Sequence, residues 1–404
     1  MLDTPLYAAT IIVLLLAISE AVSIATRAYV PSLLVAIFGY LVLIWTGVLP
    51  ADLVPASTLA AAGTLLVGVV ITHMGTLIPV SQVRAQYKAI LIALGGVVVA
   101  TVLLLAIIAP LFGYAYAVAG AGPVTGGIIA YVLTAGELRA VGLEDLVVVP
   151  ALVLGLQSLL GLPLANLLLR RYATRIRDTG VRAHQAVPPD AGSGDPGTVA
   201  EDAPPAEEPT SSPRRQLVPE RFQQPMIILL LLFVGASLAT WLDSVTGVNY
   251  SIFALLIGLV ARLAGVFPER SMERANSFGF GMLAVIVVVL ASVSTVTWAD
   301  VVSAIGPVLV VLAVGAVGIA IGGAVVSRLL RWDMYLGMPV ALTALFGFPG
   351  DYMLCQEISR SVGRTEQERA GILDEILTPM LVGGFATVTT SSILVASILV
   401  STLG

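Results

Sequence analysis

Long apolar stretches, separated by short clusters of charged residues, dominate this sequence and restrict what it can fold into. A helix of about 20 apolar residues crosses a bilayer, and ten stretches of this kind can be counted. Charged residues make up 11% of the chain, which is too few to cover a soluble surface. The sequence therefore predicts an all-α polytopic membrane protein. The predicted spans are 6–26, 29–48, 58–80, 89–113, 143–169, 224–242, 249–267, 276–298, 302–327 and 371–402.

The same composition excludes several classes of protein. A net charge of −5 offers no basic surface for nucleic acid. The lone Cys355 cannot form an internal disulfide, and His73 and His184 lie too far apart for a zinc motif. No P-loop, G-x-S-x-G or H-E-x-x-H motif occurs. We therefore predict that the chain is not an enzyme and holds no cofactor.

The basic residues predict the orientation of the spans. If the N-terminus lies outside, 19 of the 20 basic residues fall on the cytoplasmic side, and Arg139 alone remains outside. Ten spans then place both termini outside the inner membrane. The first apolar stretch lacks the basic segment of a signal peptide, so we expect it to be a retained helix.

A long polar segment divides the chain into two halves. Residues 176–222 are rich in Pro, Gly, Ser and acidic residues, and they have almost no apolar surface to bury. Such a segment is predicted to be a disordered cytoplasmic linker. It leaves residues 1–175 and 223–404 as two membrane units of five spans each.

The two units match each other in sequence, which predicts an internal repeat. The matches follow one order at nearly constant offset, which makes chance a poor explanation. Because five is an odd number, the second copy must be inverted in the membrane, as in many secondary transporters. The matches are SLLVAIFG from Ser32 with SIFALLIG from Ser251, GVLP with GVFP, Thr76 with Thr295, Pro123-Val124 with Pro339-Val340, and Pro150-x-L-V-x-Gly155 with Pro379-x-L-V-x-Gly384.

Two further apolar stretches, 114–140 and 333–360, are interrupted by Gly, Pro and charged residues. Unwound backbone at membrane depth must be shielded by protein or line a wet cavity. Both stretches carry a glycine followed by an acid, Gly136-Glu137 and Gly350-Asp351, and acids at this depth usually have a function. The alternatives are that Glu137 lies in an outer loop and that Asp351 merely caps a helix start.

This arrangement resembles the glutamate:sodium symporter family, in which two inverted five-span halves are joined by a cytoplasmic linker. The G-G-x-G signatures of that family are replaced here by GAGPVTGG and LFGFPGD. The resemblance implies a re-entrant hairpin between the fourth and fifth helix of each half. It also implies an elevator-type motion and a homodimer.

These observations predict a secondary active transporter of a small anionic organic solute, such as an amino acid or a carboxylate. The predicted coupling ion is sodium or a proton, bound by Glu137 and Asp351. An uncoupled channel or facilitator is the alternative, and a membrane enzyme ranks last. Hydroxyl groups in such helices often only bond the preceding turn. The predicted solute-binding residues are Gly122, Pro123, Thr125, Thr134, Gly136, Gly347, Pro349, Gly350, Asp351, Gln157, Thr387 and Thr390.

Overall fold

The structure is a computed structural model that describes residues 4–78, 86–179, 217–219, 221, 223–248, 250–294 and 297–403. Within these ranges the chain forms α-helices and no strands. The first half contains α1 Pro5–Ala25, α2 Ser32–Trp45, α3 Leu53–Ala56, α4 Leu59–Leu77, α5 Tyr87–Phe112, α6 Tyr114–Val124, α7 Gly127–Ala140 and α8 Val148–Asp178. The second half contains α9 Pro225–Thr246, α10 Tyr250–Leu263, α11 Ser271–Arg274, α12 Phe278–Val293, α13 Trp298–Leu329, α14 Met334–Leu342, α15 Gly347–Val362, α16 Glu366–Ala386 and α17 Ser392–Val400.

Six helices in the described ranges are long and apolar enough to cross a membrane, which supports a multi-pass membrane protein. Four further apolar helical stretches are shorter, and among them α2 and α10 have 14 residues each. A helix of 14 residues is about 21 Å long, less than the roughly 30 Å hydrocarbon core. The spans predicted at 29–48 and 249–267 are therefore longer than the helices that form there.

Two other predicted spans differ from the observed helices. The span predicted at 143–169 overlaps α8, which begins at Val148 and continues to Asp178. The span predicted at 371–402 is divided into α16 and α17 by a π-helical segment, Thr387–Ser391. The predicted linker begins inside the last turn of α8, and most of it, together with Thr295, lies outside the described residues.

The helices α2 and α10 end in the same way. The stretch GVLP after α2 begins with Gly47 at φ 73°, and GVFP after α10 begins with Gly265 at φ 76°. A residue in this left-handed region commonly ends a helix, and glycine adopts it without steric cost. Each glycine N–H donates to a carbonyl of the last helical turn, from Gly47 to Ile44 and from Gly265 to Arg262.

The helices pack into two bodies, and each body draws on both halves of the chain. In the first body, α4 packs against α9, α10 and α12, and α1 packs against α2. In the second body, α5 packs against α13, α14, α16 and α6, and α8 packs against α14 and α13. Large apolar side chains remain exposed on the outer helix faces, as expected of a surface in contact with lipid.

Glycines bring the helices of each body into close contact. Between α4 and α10, a Cβ added at Gly75 would lie 2.8 Å from the Cα of Gly258. Between α5 and α13, a Cβ added at Gly322 would lie 2.8 Å from the Cα of Gly96. Small residues at such crossings let helix backbones approach closely in membranes. Each body is therefore tightly packed inside.

Candidate functional site

The two interrupted stretches lie at breaks between helices, and both breaks contact Val388. In the first break, Gly126 has φ 131°, and a Cβ there would lie 3.0 Å from the Cα of Val388. In the second break, Gly347 has φ 53°, and a Cβ there would lie 3.0 Å from Cγ2 of Val388. Since Val388 belongs to the π-helical segment, three irregular pieces of backbone meet at one place.

Asp351 lies beside this meeting point and is fully buried. Its Oδ1 accepts a hydrogen bond from the N–H of Tyr352 at 2.7 Å. Its Oδ2 has no hydrogen-bond partner among the described residues. Burying a carboxylate is costly unless something compensates its charge. The free oxygen therefore marks a place where a cation or a proton would be stabilised.

Gly384 of α16 provides the space that the Asp351 carboxylate occupies. A Cβ added at Gly384 would lie 2.5 Å from Oδ2 of Asp351 and 3.6 Å from the Cβ of Thr343. Sequence analysis singled out Gly384 as part of a repeated motif. The structure places it opposite the buried acid, where any larger residue would collide with the carboxylate.

The second break also explains how Asp351 reaches the first turn of a helix. Phe348 has non-helical dihedral angles (φ −74°, ψ 136°), and its bond to Pro349 is cis. Regular helix therefore begins only after Phe348, and Asp351 lies close to that beginning. The partial positive charge at a helix N-terminus stabilises a nearby carboxylate. Because Tyr352 is the residue next to Asp351, its hydrogen bond to Oδ1 is not the N-cap bond of the alternative interpretation, and Oδ2 has no partner among the described residues.

Polar side chains of α8 and α16 face the same region. Ser158 donates a hydrogen bond to the carbonyl of Leu345, in the second break, at 3.3 Å. The neighbouring Gln157 is buried, and its Oε1 has no partner among the described residues. Thr387 donates to the carbonyls of Gly383 and Gly384 at 3.1 and 3.0 Å. The Thr387 hydroxyl thus bonds the preceding turn, as many hydroxyls in helices do.

In the first interrupted stretch, α6 and α7 fold back on each other. A Cβ added at Gly122 would collide with Oγ1 of Thr134 and would lie 3.6 Å from the carbonyl oxygen of Ala130. Gly122, Pro123, Thr125 and Thr134 are all buried. The two threonines bond carbonyls of their own helices, Thr125 to Gly122 at 2.8 Å and Thr134 to Ala130 at 2.7 Å.

The remaining predicted residues do not join this cluster. Gly136 is exposed, and Glu137 beside it is half-buried. Within the part of the chain that the structure describes, the Glu137 carboxylate makes no hydrogen bond or ion pair. The side chain of Thr390 lies outside the described residues. The structure thus groups the predicted residues of the second break, Gly347, Pro349, Gly350 and Asp351, with Thr387, and sets Glu137 apart.

The acids of the two stretches also correspond differently from the pairing expected from the sequence. Gly127 and Gly347 are the first residues of α7 and α15, and both have positive φ, 86° and 53°. Glu137 follows Gly127 by ten positions, and Glu357 follows Gly347 by ten. Counted from the breaks, the counterpart of Glu137 is therefore Glu357, and Asp351 has no acidic counterpart.

Sequence analysis missed a second polar contact, at one end of the helices. The ring of His73 is fully buried, and its Nε2 lies 2.9 Å from Oε2 of Glu273 in α11. Burial acts to raise the pKa of the Glu273 carboxyl, but the hydrogen bond and charge of His73 and the charge of Arg270 outweigh it, so the pKa lies below its ordinary value. This pair ties α4 to the connection between α10 and α12.

Two cavities lie between the bodies described above. One, of about 410 Å³, is lined by α1, α2, α12 and α15, and its polar residues include Glu20, Tyr352, Glu357 and Arg360. Asp351, the residue before Tyr352 in the sequence, is fully buried. The other cavity, of about 730 Å³, is almost wholly apolar and is lined by α5, α10, α16 and α17.

Among the described residues the site has no donor set for a transition metal. No group of three His, Cys, Asp or Glu side chains that could hold a metal ion exists among the described residues.

Comparisons with protein-family models and with curated proteins find no match for this chain. The function therefore has to be argued from the site itself.

Proposed function

We propose that this protein is a secondary active transporter that couples the movement of a small anionic organic solute to sodium or protons. The observation that carries the proposal is the fully buried Asp351, with one carboxylate oxygen free, beside the convergence of two helix breaks at Val388. A buried, uncompensated carboxylate is unfavourable on its own. It becomes favourable once a cation binds, and such a switch is what ion coupling requires.

The order of the helices supports an inverted repeat. In each half, a 14-residue helix (α2 or α10) is followed by a four-residue helix (α3 or α11) and then by two apolar helices. Next come the two helices on either side of a break, and finally a long helical region. We infer that α6–α7 and α14–α15 enter the membrane from opposite sides and meet near its middle.

The division into two bodies supports alternating access. We assign α5–α8 and α13–α17, which contain both breaks, to a moving core, and the remaining helices to a scaffold. Both cavities lie between these bodies, where a sliding or rocking motion would open and close them. The N-terminus lies outside and the linker in the cytoplasm, so that nearly all basic residues are cytoplasmic.

The helix termini at the breaks suit a solute that carries negative charge. The first turn of α7 contains no acidic residue, so no side chain of that turn offsets the positive end of the helix dipole. That terminus lies at Gly126 and Gly127, close to Val388. A carboxylate of the solute at the N-terminus of α7 and a cation at Asp351 would lie on either side of Val388, where their opposite charges would attract each other.

The experiment is gradient-driven accumulation in proteoliposomes. Purified protein is reconstituted, an inward sodium or proton gradient is imposed, and uptake of labelled amino acids and carboxylates is measured. We expect uptake above the equilibrium level in the native protein and none in Asp351→Asn, which keeps the shape of the side chain but removes its charge. Removing an intramembrane charge relieves an insertion cost, so Asp351→Asn should remain folded.

Glu144→Gln is the matched control, because Glu144 is an exposed acid in the connection after α7. We expect normal accumulation in this variant. Accumulation by Asp351→Asn equal to that of the native protein would contradict the assignment of Asp351. Uptake that never exceeds equilibrium in the native protein would favour the uncoupled facilitator instead.

A further inference from the structure

A buried polar contact between the two bodies joins α15 to the start of α2. Glu357 is 5% exposed, and its carboxylate accepts hydrogen bonds from the backbone N–H of Ser32 at 3.0 and 3.2 Å. The hydroxyl of Ser32 donates to the same carboxylate. A carboxylate at a helix N-terminus satisfies N–H groups that have no partner inside the helix. Glu357 therefore caps α2 from the opposite body.

Both partners of this contact have counterparts in the other half of the sequence. Glu357 and Glu137 lie ten residues after Gly347 and Gly127, the first residues of α15 and α7. Each is followed by an arginine and then by Val-Gly, one position later in EISRSVG than in ELRAVG. Ser32 begins SLLVAIFG, and Ser251 begins SIFALLIG at the start of α10. The repeat thus duplicates the capping acid and the capped helix together.

The second contact is absent in this conformation. Glu137 is half-buried and makes no hydrogen bond or ion pair with the residues that the structure describes. Its helix, α7, packs against α6, α8 and α17, all in the body that we assign to the moving core. Ser251 is buried at the start of α10, in the other body. The two copies of the contact are therefore in different states within one structure.

We propose that Glu357 and Glu137 are alternating latches: Glu357 caps α2 in the conformation seen here, and Glu137 caps α10 at Ser251 in the opposite conformation. The inference rests on the proposed alternating access, and it adds the residues that stabilise its two end states. In an inverted repeat, the second conformation exchanges the environments of the two halves. In that second conformation Glu137 caps α10, and the contact between Glu357 and α2 is broken.

Disulfide cross-linking in native membranes tests this proposal without any solute. In a Cys355→Ala background, Glu137→Cys and Ser251→Cys are combined, and the rate of oxidative cross-linking is measured with Glu357 intact. Adding Glu357→Gln weakens the first latch. We expect the cross-linking rate to rise by about tenfold, as for the loss of one charge-assisted hydrogen bond. Ser32→Ala, which keeps the carboxylate and the N–H, should raise the rate by a smaller factor.

Two controls define the outcomes. Glu20→Gln removes an exposed acid of the same cavity, whose ion pair with Arg360 is a surface pair, and it should leave the rate unchanged. Pairing Ser251→Cys with Glu144→Cys should give little cross-linking. A rate that responds to neither Glu357→Gln nor Ser32→Ala overturns the latch, as does rapid cross-linking with Glu357 intact. If the latch behaves as expected but no solute accumulates against a gradient, the coupling proposal fails and the latch stands.

Discussion

The contact between Gly384 and Asp351 gives the sharpest prediction about the site. Gly384→Ala would place a Cβ 2.5 Å from Oδ2 of Asp351, whereas ordinary contact begins at 3.4 Å. One of the two groups must therefore move by roughly an ångström. The carboxylate is not free to turn, because Oδ1 is held by the N–H of Tyr352 at 2.7 Å. The substitution should therefore displace the acid or break that hydrogen bond.

The expected magnitudes separate stability from coupling. Overpacking by one methyl group costs about 1–3 kcal/mol, and replacing a helical glycine by alanine returns about 0.5–1 kcal/mol. The net loss of stability for Gly384→Ala should be about 1 kcal/mol, so the protein stays folded. Displacing the carboxylate should weaken the free energy of cation binding by about as much as the loss of one hydrogen bond, roughly 1.4 kcal/mol. A loss of this size raises the half-saturating cation concentration about tenfold.

The assay is the cation dependence of solute uptake in proteoliposomes, with Gly306→Ala as the control. Gly306 lies in α13 with no atom within 4 Å of an added Cβ, so alanine there should leave uptake and stability unchanged or slightly improved. We expect the half-saturating cation concentration to rise about tenfold in Gly384→Ala only. An unchanged value in a folded Gly384→Ala protein would refute the assignment of Asp351 as the cation ligand.

Two further predictions concern stability, and a third concerns the linker. The pKa of the Glu273 carboxyl is lower in the folded protein than in the unfolded chain. Its contribution to stability is therefore complete above the pKa of the unfolded state and is lost as the pH falls through the pKa of the folded state. The difference in unfolding temperature between the native protein and Glu273→Gln should shrink at acidic pH. Asn166 is fully buried and donates at 2.8 and 3.0 Å to two carbonyls of the α1–α2 connection, so Asn166→Leu should destabilise the protein by about 1–3 kcal/mol in thermal unfolding. Deleting residues 186–212 should leave membrane insertion and transport intact, since the sequence there has almost no apolar surface to bury, and loss of insertion would contradict the tether interpretation.

The sequence predicts much of the helical architecture because apolar length alone identifies most membrane helices. The stretch 89–113, for example, corresponds closely to α5, Tyr87–Phe112. Apolar length fails where helices are short or irregular. The stretch 371–402 is predicted as one span from its apolar length. The structure instead has a π-helical segment at Thr387–Ser391, and this segment packs against both breaks. That interruption depends on contacts with residues far away in sequence, which hydropathy does not contain.

The candidate site is predicted in part for the same reason. Asp351 could be found because an acid in an apolar, glycine-rich stretch is unusual. Glu357 was overlooked because it lies among polar residues near Arg360, where an acid is ordinary; its role depends on Ser32, more than three hundred residues away. The sequence does contain a signal for Glu357, because ELRAVG and EISRSVG share an acid, an arginine and Val-Gly. The two segments can be aligned once the positions of the helix breaks are known.

The central claim is that Asp351 couples a cation to solute movement. The most direct measurement is simultaneous recording of solute-stimulated sodium entry and internal pH in proteoliposomes, for the native protein and for Asp351→Asn. We expect solute to drive entry of sodium or of protons in the native protein and of neither in Asp351→Asn. Solute movement without entry of either cation in the native protein, or undiminished cation entry in Asp351→Asn, would contradict the claim.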